Sequence, residues 1–190
     1  DDFSGGFLFR FIPVTKGDLS EGELYAYDRA KKTWPLIKDV FHPREEATAN
    51  GATAFNRLEG LAFRPDRQYL YISETGDKDP ARGDPYGRIY KMSLKDWRLL
   101  IVLETKGETM ANPDNIVFDG KGNLWIAEDQ FPANITTHGS NEIWVLRPSR
   151  KACLFARLQD AYCEPTGQEF STDYKTLFVN FQCEKQPDKV

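Results

Sequence analysis

A hairpin that recurs three times constrains this chain more than any other feature. Its clearest copy runs from Asn112 to Asp129: a short apolar strand (Ile116, Val117, Phe118), a turn on Asp119-Gly120-Lys121-Gly122-Asn123, and a second strand from Leu124 to Ala127 that ends in two acids. Two short apolar runs joined by a Gly/Asp turn read as a β-hairpin. A copy upstream joins Glu59–Phe63 to Tyr69–Glu74, and one downstream joins Thr166–Phe170 to Thr176–Asn180. Their phenylalanines, Phe63, Phe118 and Phe170, recur at spacings of 55 and 52 residues, a period suited to propeller blades and too long for leucine-rich or ankyrin repeats.

The chain between the hairpins completes the pattern. Candidate strands at 7–12, 23–27 and 34–40 read as the last three strands of a blade. A connector over 41–56 carries a helical turn from Arg44 to Thr48. Two four-stranded blades follow, over 60–103 and 116–157, each with a turn-rich loop between its second and third strands, at 75–87 and 130–141. Two further strands begin at Cys163. The expectation is an all-β chain of thirteen strands, about three antiparallel blades, forming one β-propeller segment over residues 1–190 that starts and ends within a blade. Closing a ring takes at least about four blades, so another chain or a second copy is expected to cover the open edges.

Composition narrows the function. The chain is 40% hydrophobic and 28% charged, enough apolar surface for a core. A net charge of −4 provides no broad basic footprint for nucleic acid and favours cationic partners. No apolar run approaches the roughly 18 residues of a membrane span, and no basic-plus-apolar leader opens the chain. Cys153, Cys163 and Cys183 lack C-x-x-C spacing and His42 and His138 are the only histidines, which argues against a finger-type zinc site. One disulfide with a free thiol and three reduced thiols both satisfy the sequence. An Asn134-Ile-Thr136 sequon matters only on a eukaryotic secretory route. Neither a nucleophile elbow nor a phosphate-binding glycine loop is present.

In a propeller the innermost strands converge on one axis. At those positions lie Glu59, the pair Asp114 and Asn115, and Glu164, with Glu169 close by. Oxygen donors converging from several blades suit a hard divalent cation. Each residue has a plainer reading: Glu59 as a turn acid or a partner of Arg57, Asp114 as an Asx-turn residue, Glu169 as an outward-facing strand residue. Glu74, Glu128 and Asp129 end second strands and read as solvated turn residues.

Several motifs, taken in order, resemble the PhoX-type alkaline phosphatases: Gly51-Ala-Thr with Arg57-Leu-Glu59, Asn112-Pro-Asp-Asn with Gly122-Asn-Leu-Trp-Ile126, and Cys163-Glu-Pro-Thr-Gly167 with Thr176-Leu-Phe-Val-Asn-Phe-Gln182. The likeness extends from Gly5 to Gln182. It implies a propeller, calcium and iron as cofactors, a phosphate-ester small molecule as substrate, and export to the periplasm or beyond. By the same resemblance Glu59 and Glu164 are metal ligands, and Asp114 matches a Ser-Pro-Asp position. The family's upstream Thr-Cys-Glu-Glu segment, which supplies iron ligands, has no counterpart here, and its His-Pro-Gly is replaced by Cys183-Glu-Lys. A complete phosphatase site would need residues from elsewhere. Without them the chain reads as a non-catalytic propeller that binds a partner protein. A calcium-dependent lactonase is a further reading, because lactonase propellers also place Asp-Asn before an innermost strand.

Overall fold

A computed structural model describes residues 4–77, 84–106, 110–130, 140–160 and 162–183. Apart from one helix, α1 (Pro43–Ala49), its regular elements are strands. Three sheets follow the expected order: β2 (Phe9–Pro13), β3 (Gly22–Ala26) and β4 (Leu36–Ile37); β6 (Leu58–Phe63), β7 (Tyr69–Glu74), β8 (Arg88–Ser93) and β9 (Leu99–Glu104); β10 (Pro113–Phe118), β11 (Leu124–Glu128), β12 (Glu142–Leu146) and β13 (Ala152–Arg157). A hairpin of β14 (Cys163–Phe170) and β15 (Leu177–Cys183) comes last. Each of these is an antiparallel meander, and the first strand β10 packs against both β6 and β14. This is the blade arrangement the repeat implies.

The structure adds a pair of strands that the repeat does not contain. The run at 7–12 breaks at Leu8, so that β1 (Ser4–Phe7) leaves the first sheet and pairs with β5 (Ala54–Asn56), tying the start of the described chain to the segment entering β6. The strand expected over 34–40 shrinks to Leu36–Ile37. Pro35, which has no N–H to offer a ladder, precedes it, and Asp39 turns back to bind His42. His42 therefore sits at the start of α1, with Nδ1 2.9 Å from Asp39 Oδ2. His138 and the sequon at Asn134 lie outside the described residues.

The core lies between blades. Ile89, Ile116, Phe118, Leu124, Ile126 and Trp144 interdigitate between the two four-stranded sheets. Tyr27, Phe55, Ile72, Tyr90, Met92 and Leu99 fill the space between the first sheet and the next. Alternate residues of β7 and β8 face these two layers, Tyr71 and Ile89 the one and Ile72 and Tyr90 the other, as a sheet covered on both faces requires. The Arg10 guanidinium lies 4.6 Å over the Trp34 ring and 4.9 Å over the Trp97 ring, a cation–π tie between the same two sheets.

Polar side chains stitch the four-stranded blades together where the innermost strands begin. Ser73 Oγ donates to the Asp114 carbonyl and accepts from Gly60 N at 2.7 Å. Thr75 Oγ1 donates to Pro113 O at 3.0 Å. Asn112 Nδ2 donates to the carbonyls of Thr75 and Pro85, both at 2.8 Å. At Gly60 a Cβ would stand 2.5 Å from the Asp114 carbonyl oxygen, so only glycine lets the two innermost strands approach this closely.

Candidate metal centre

Each innermost strand carries a β-bulge near its start: between Leu58 and Leu61, between Pro113 and Ile116, and between Thr166 and Glu169. A bulge breaks the strict alternation of side chains and re-aims those around it. Glu59 and Asp114 lie inside the first two bulges, each four residues before its repeat phenylalanine. Glu164 lies six residues before Phe170, off the repeat position, and reaches the same region because β14 starts earlier than its counterparts. Pairing of Glu164 with Gln182 and a Cys163–Cys183 disulfide hold that extension in place. The disulfide settles which thiols pair; Cys153 remains free.

Asp114, Asp129 and Glu164 form one cluster, each presenting a carboxylate oxygen within 4.8 Å of the other two. Asp129 follows β11 directly, so three chain segments contribute one acid each. Reading Asp129 as a solvated turn residue is therefore wrong, and the reason is register. In an antiparallel hairpin the end of the second strand lies beside the start of the first, as Pro113 opposite Glu128 shows. Arg57, in the left-handed region at φ 58° and only 3% exposed, donates from Nη2 to Asp129 Oδ2 at 2.9 Å and stands 3.6 Å from Glu59 Oε1. Glu59 thus borders the cluster through Arg57, the partner reading that the sequence left open.

Asn115 has a different role from its neighbour. Its Nδ2 donates to Asp114 Oδ2 at 2.8 Å, and its Oδ1 accepts from Gly167 N at 2.9 Å. Both ends of the carboxamide are engaged, so Asn115 positions Asp114 and ties β10 to β14. Glu169 is exposed on β14 and stands apart from the cluster.

The other second-strand acids are also buried, as structural acceptors. Glu74 accepts from Asn56 N at 2.7 Å and from Tyr90 Oη at 2.6 Å. Glu128 accepts from Ala111 N at 2.9 Å, Gln130 Nε2 at 2.8 Å and Glu142 N at 3.0 Å. In both blades the glutamate binds a backbone N–H two residues before the innermost strand. These contacts correct the expectation that Glu74 and Glu128 are solvated, and they set the angle at which the acid-bearing strand begins.

Burial and crowded negative charge set the electrostatics of the cluster. Burial, then the charges of Glu59 and Asp129, push the Asp114 carboxyl up to about 7. Burial, a hydrogen bond with Asp129 and the charges of Asp129 and Asp114 push Glu164 up to about 9. Arg57 opposes both shifts without cancelling them. Like-charged carboxylates crowded this closely hold protons unless a cation replaces them. The donors are all carboxylate oxygens, which fits a hard divalent ion.

A blade-built all-β segment in which three carboxylates converge beside the innermost strands defines a propeller with a candidate cation site. The family model of the alkaline phosphatase PhoX matches residues 1–184, and the chain belongs to that family. Among solved structures it is similar to PhoX of Pseudomonas fluorescens in complex with vanadate, at 22% identity and a TM-score of 0.75 over 96% of this chain. The chain spans 45% of the length of that structure. Two gluconolactonases are more distant. That of Xanthomonas campestris has 15% identity and a TM-score of 0.49 over 93% of this chain and 50% of its own. The periplasmic one of Pseudomonas aeruginosa has 15% identity and a TM-score of 0.49 over 92% of this chain and 47% of its own. No curated protein sequence matches the chain. Among the described residues, no helix is long and apolar enough to cross a membrane.

Proposed function

We propose that this chain supplies part of the metal centre of a phosphomonoesterase, with Asp114, Asp129 and Glu164 as ligands and Glu59 at the border of the site. The observation that carries the reading is the convergence of three carboxylates from three segments in a chain of the PhoX family. Calcium is the ion that the donor set fits; iron rests on the family resemblance alone. When bound, such ions offset the negative charge of a phosphate ester and polarise its phosphorus–oxygen bonds.

The protein's own residues prepare the site. Asn115 fixes the Asp114 carboxylate from the β14 side, and Arg57 holds Asp129. Glu74 and Glu128 hold the entries to β6 and β10 rigid. Burial of Asp114 and partial burial of Asp129 and Glu164 strengthen the charge interactions among them. No general base is assigned to this chain.

Residues 1–190 are read as one propeller segment whose ring another chain or a second copy completes, a reading supported by their spanning 45% of the length of the Pseudomonas structure. The Cys163–Cys183 disulfide supports an oxidising, exported location.

The test is hydrolysis of a phosphomonoester by the full-length protein, with calcium or with a chelator, against a sugar lactone as control. Calcium-dependent phosphate release that is lost in Asp129→Asn supports the reading. Turnover of the lactone alone assigns the site to lactonase chemistry, and turnover of neither leaves a partner-binding propeller.

A further inference from the structure

We propose that a second site, a cationic cavity at the opposite end of the same strands, binds a small dianionic oxyanion of the phosphate type. The cavity measures about 210 Å³ and lies between the two four-stranded blades. Arg64, Lys91, Arg147 and Arg150 surround it, above a floor that includes Tyr71, Phe118 and Leu124. Phe118 ends the strand on which Asp114 lies near the start, four residues of extended chain or roughly 13 Å away. The two sites therefore share strands and not residues.

Two turns of one design deliver three of the four cations. Arg64-Pro-Asp-Arg67 links β6 to β7, and Arg147-Pro-Ser-Arg150 links β12 to β13. In each, the last arginine adopts a left-handed conformation, φ 56° at Arg67 and 64° at Arg150, and its N–H donates to the first arginine's carbonyl at 2.8 Å. Proline at the second position presets this turn. The turns belong to different blades and different hairpins, yet both project arginine into the same cavity.

The cations have little countercharge. Arg64 pairs with Asp66 at 3.4 Å on the surface. Among the described residues Lys91, Arg147 and Arg150 make no ion pair, and Lys91 Nζ instead lies 3.6 Å over the Tyr69 ring. Burial and the neighbouring Arg64 and Arg150 charges lower the Lys91 pKa, with Asp66 opposing them in part. Cations held together over an apolar floor repel one another until an anion joins them. Guanidinium forks match a tetrahedral oxyanion through paired N–H donors. The cavity is below the 300–1,000 Å³ typical of drug-sized ligands, which selects a small one.

The experiment is calorimetric titration of chelator-treated protein with inorganic phosphate, and separately with phenyl phosphate, at constant ionic strength. Removing bound metal leaves the acidic cluster repelling anions, so binding reports on the basic cavity whether or not the protein is a phosphatase. Saturable one-site binding is expected, weakened about tenfold to a hundredfold in Arg64→Gln/Arg150→Gln, the range for losing a charge-assisted hydrogen bond. Arg150→Glu, on an exposed turn, is the second variant and is expected to abolish binding while keeping the wild-type melting profile. Tighter binding of phenyl phosphate identifies an organic phosphate whose apolar part meets Phe118; equal binding identifies the free ion. Absence of saturable binding in the millimolar range, or equal binding by the variants, overturns the site.

Discussion

Arg57 reaches 72 residues along the chain to place Nη2 2.9 Å from Asp129 Oδ2, joining the start of one blade's innermost strand to the second strand of the next. The contact balances charge in a cluster that would otherwise repel itself, and it competes with any cation for the same carboxylate. Arg57→Met is expected to lower the melting temperature of metal-free protein, a loss of about 1–3 kcal/mol for a hydrogen-bonded charge. Added calcium should recover most of that loss. Melting curves with and without calcium check this; an equal deficit in both would make Arg57 a purely structural residue.

Asp129→Asn removes a carboxylate from the cluster and should weaken calcium binding on the order of tenfold or more, since affinity follows the number of charged ligands. Glu169→Gln, on the exposed side of β14, should change nothing. Calorimetric titration of both variants compares them directly. Similar affinities would remove Asp129 from the site.

Stability of the metal-free protein should fall as pH rises. Asp114 and Glu164 are pushed up to about 7 and about 9, so the folded state holds protons that the unfolded chain releases near 4. Their contribution is complete below the unfolded values and disappears as pH climbs through the folded ones. Calcium replaces those protons, so its presence should flatten the profile between about pH 4 and about pH 9, the window from the unfolded values to the higher folded one. Thermal melts across that range, with chelator and with calcium, test it. A flat profile in chelator would show that the acids are not crowded in solution.

Gly60→Ala places a methyl group 2.5 Å from the Asp114 carbonyl oxygen. The innermost strands must separate, at a cost of about 1–3 kcal/mol for overpacking, and Asp114 moves with its backbone. Both the melting temperature and calcium affinity should drop. Gly122→Ala meets no neighbouring atom but suffers a positive φ of 78°, so it should lose stability alone.

Glu128→Ala takes the acceptor from the buried backbone N–H groups of Ala111 and Glu142 and removes one hydrogen bond of Gln130. A loss of about 3 kcal/mol or more is expected, since each unsatisfied buried donor costs about 1–3 kcal/mol. Chemical denaturation measures it. An effect below about 1 kcal/mol would mean that water substitutes for the carboxylate.

The blade plan was legible because the hairpin period repeats in the sequence, and three sheets follow it in order. The β1–β5 pair was not, since it joins segments outside the repeat and depends on a break at Leu8 that no turn residue marks. Glu59, Asp114 and Glu164 were found as acids near innermost strands, although Glu164 is off the repeat position and arrives through a longer hairpin. Asp129 was misread because a strand's end was treated as remote from the site, when antiparallel pairing places it alongside. Asn115 reads in sequence as an oxygen donor beside Asp114, and its hydrogen bond from Gly167, 52 residues away, has no local signal. Arg57, buried among acids at positive φ, carries no local signal beyond its proximity to Glu59.

The disulfide at the root of the last hairpin bears on the order in which the site matures. Cys163 immediately precedes Glu164, and its bond to Cys183 clamps the extension that brings this acid to Asp114 and Asp129. Until the two thiols are oxidised, that ligand hangs on an unclamped hairpin end and the cluster is open on one side. Under the metal role proposed above, cation capture is tied to the redox state of the surroundings: the site is expected to be weaker in a chain held in a reducing compartment and stronger once the same chain reaches an oxidising one.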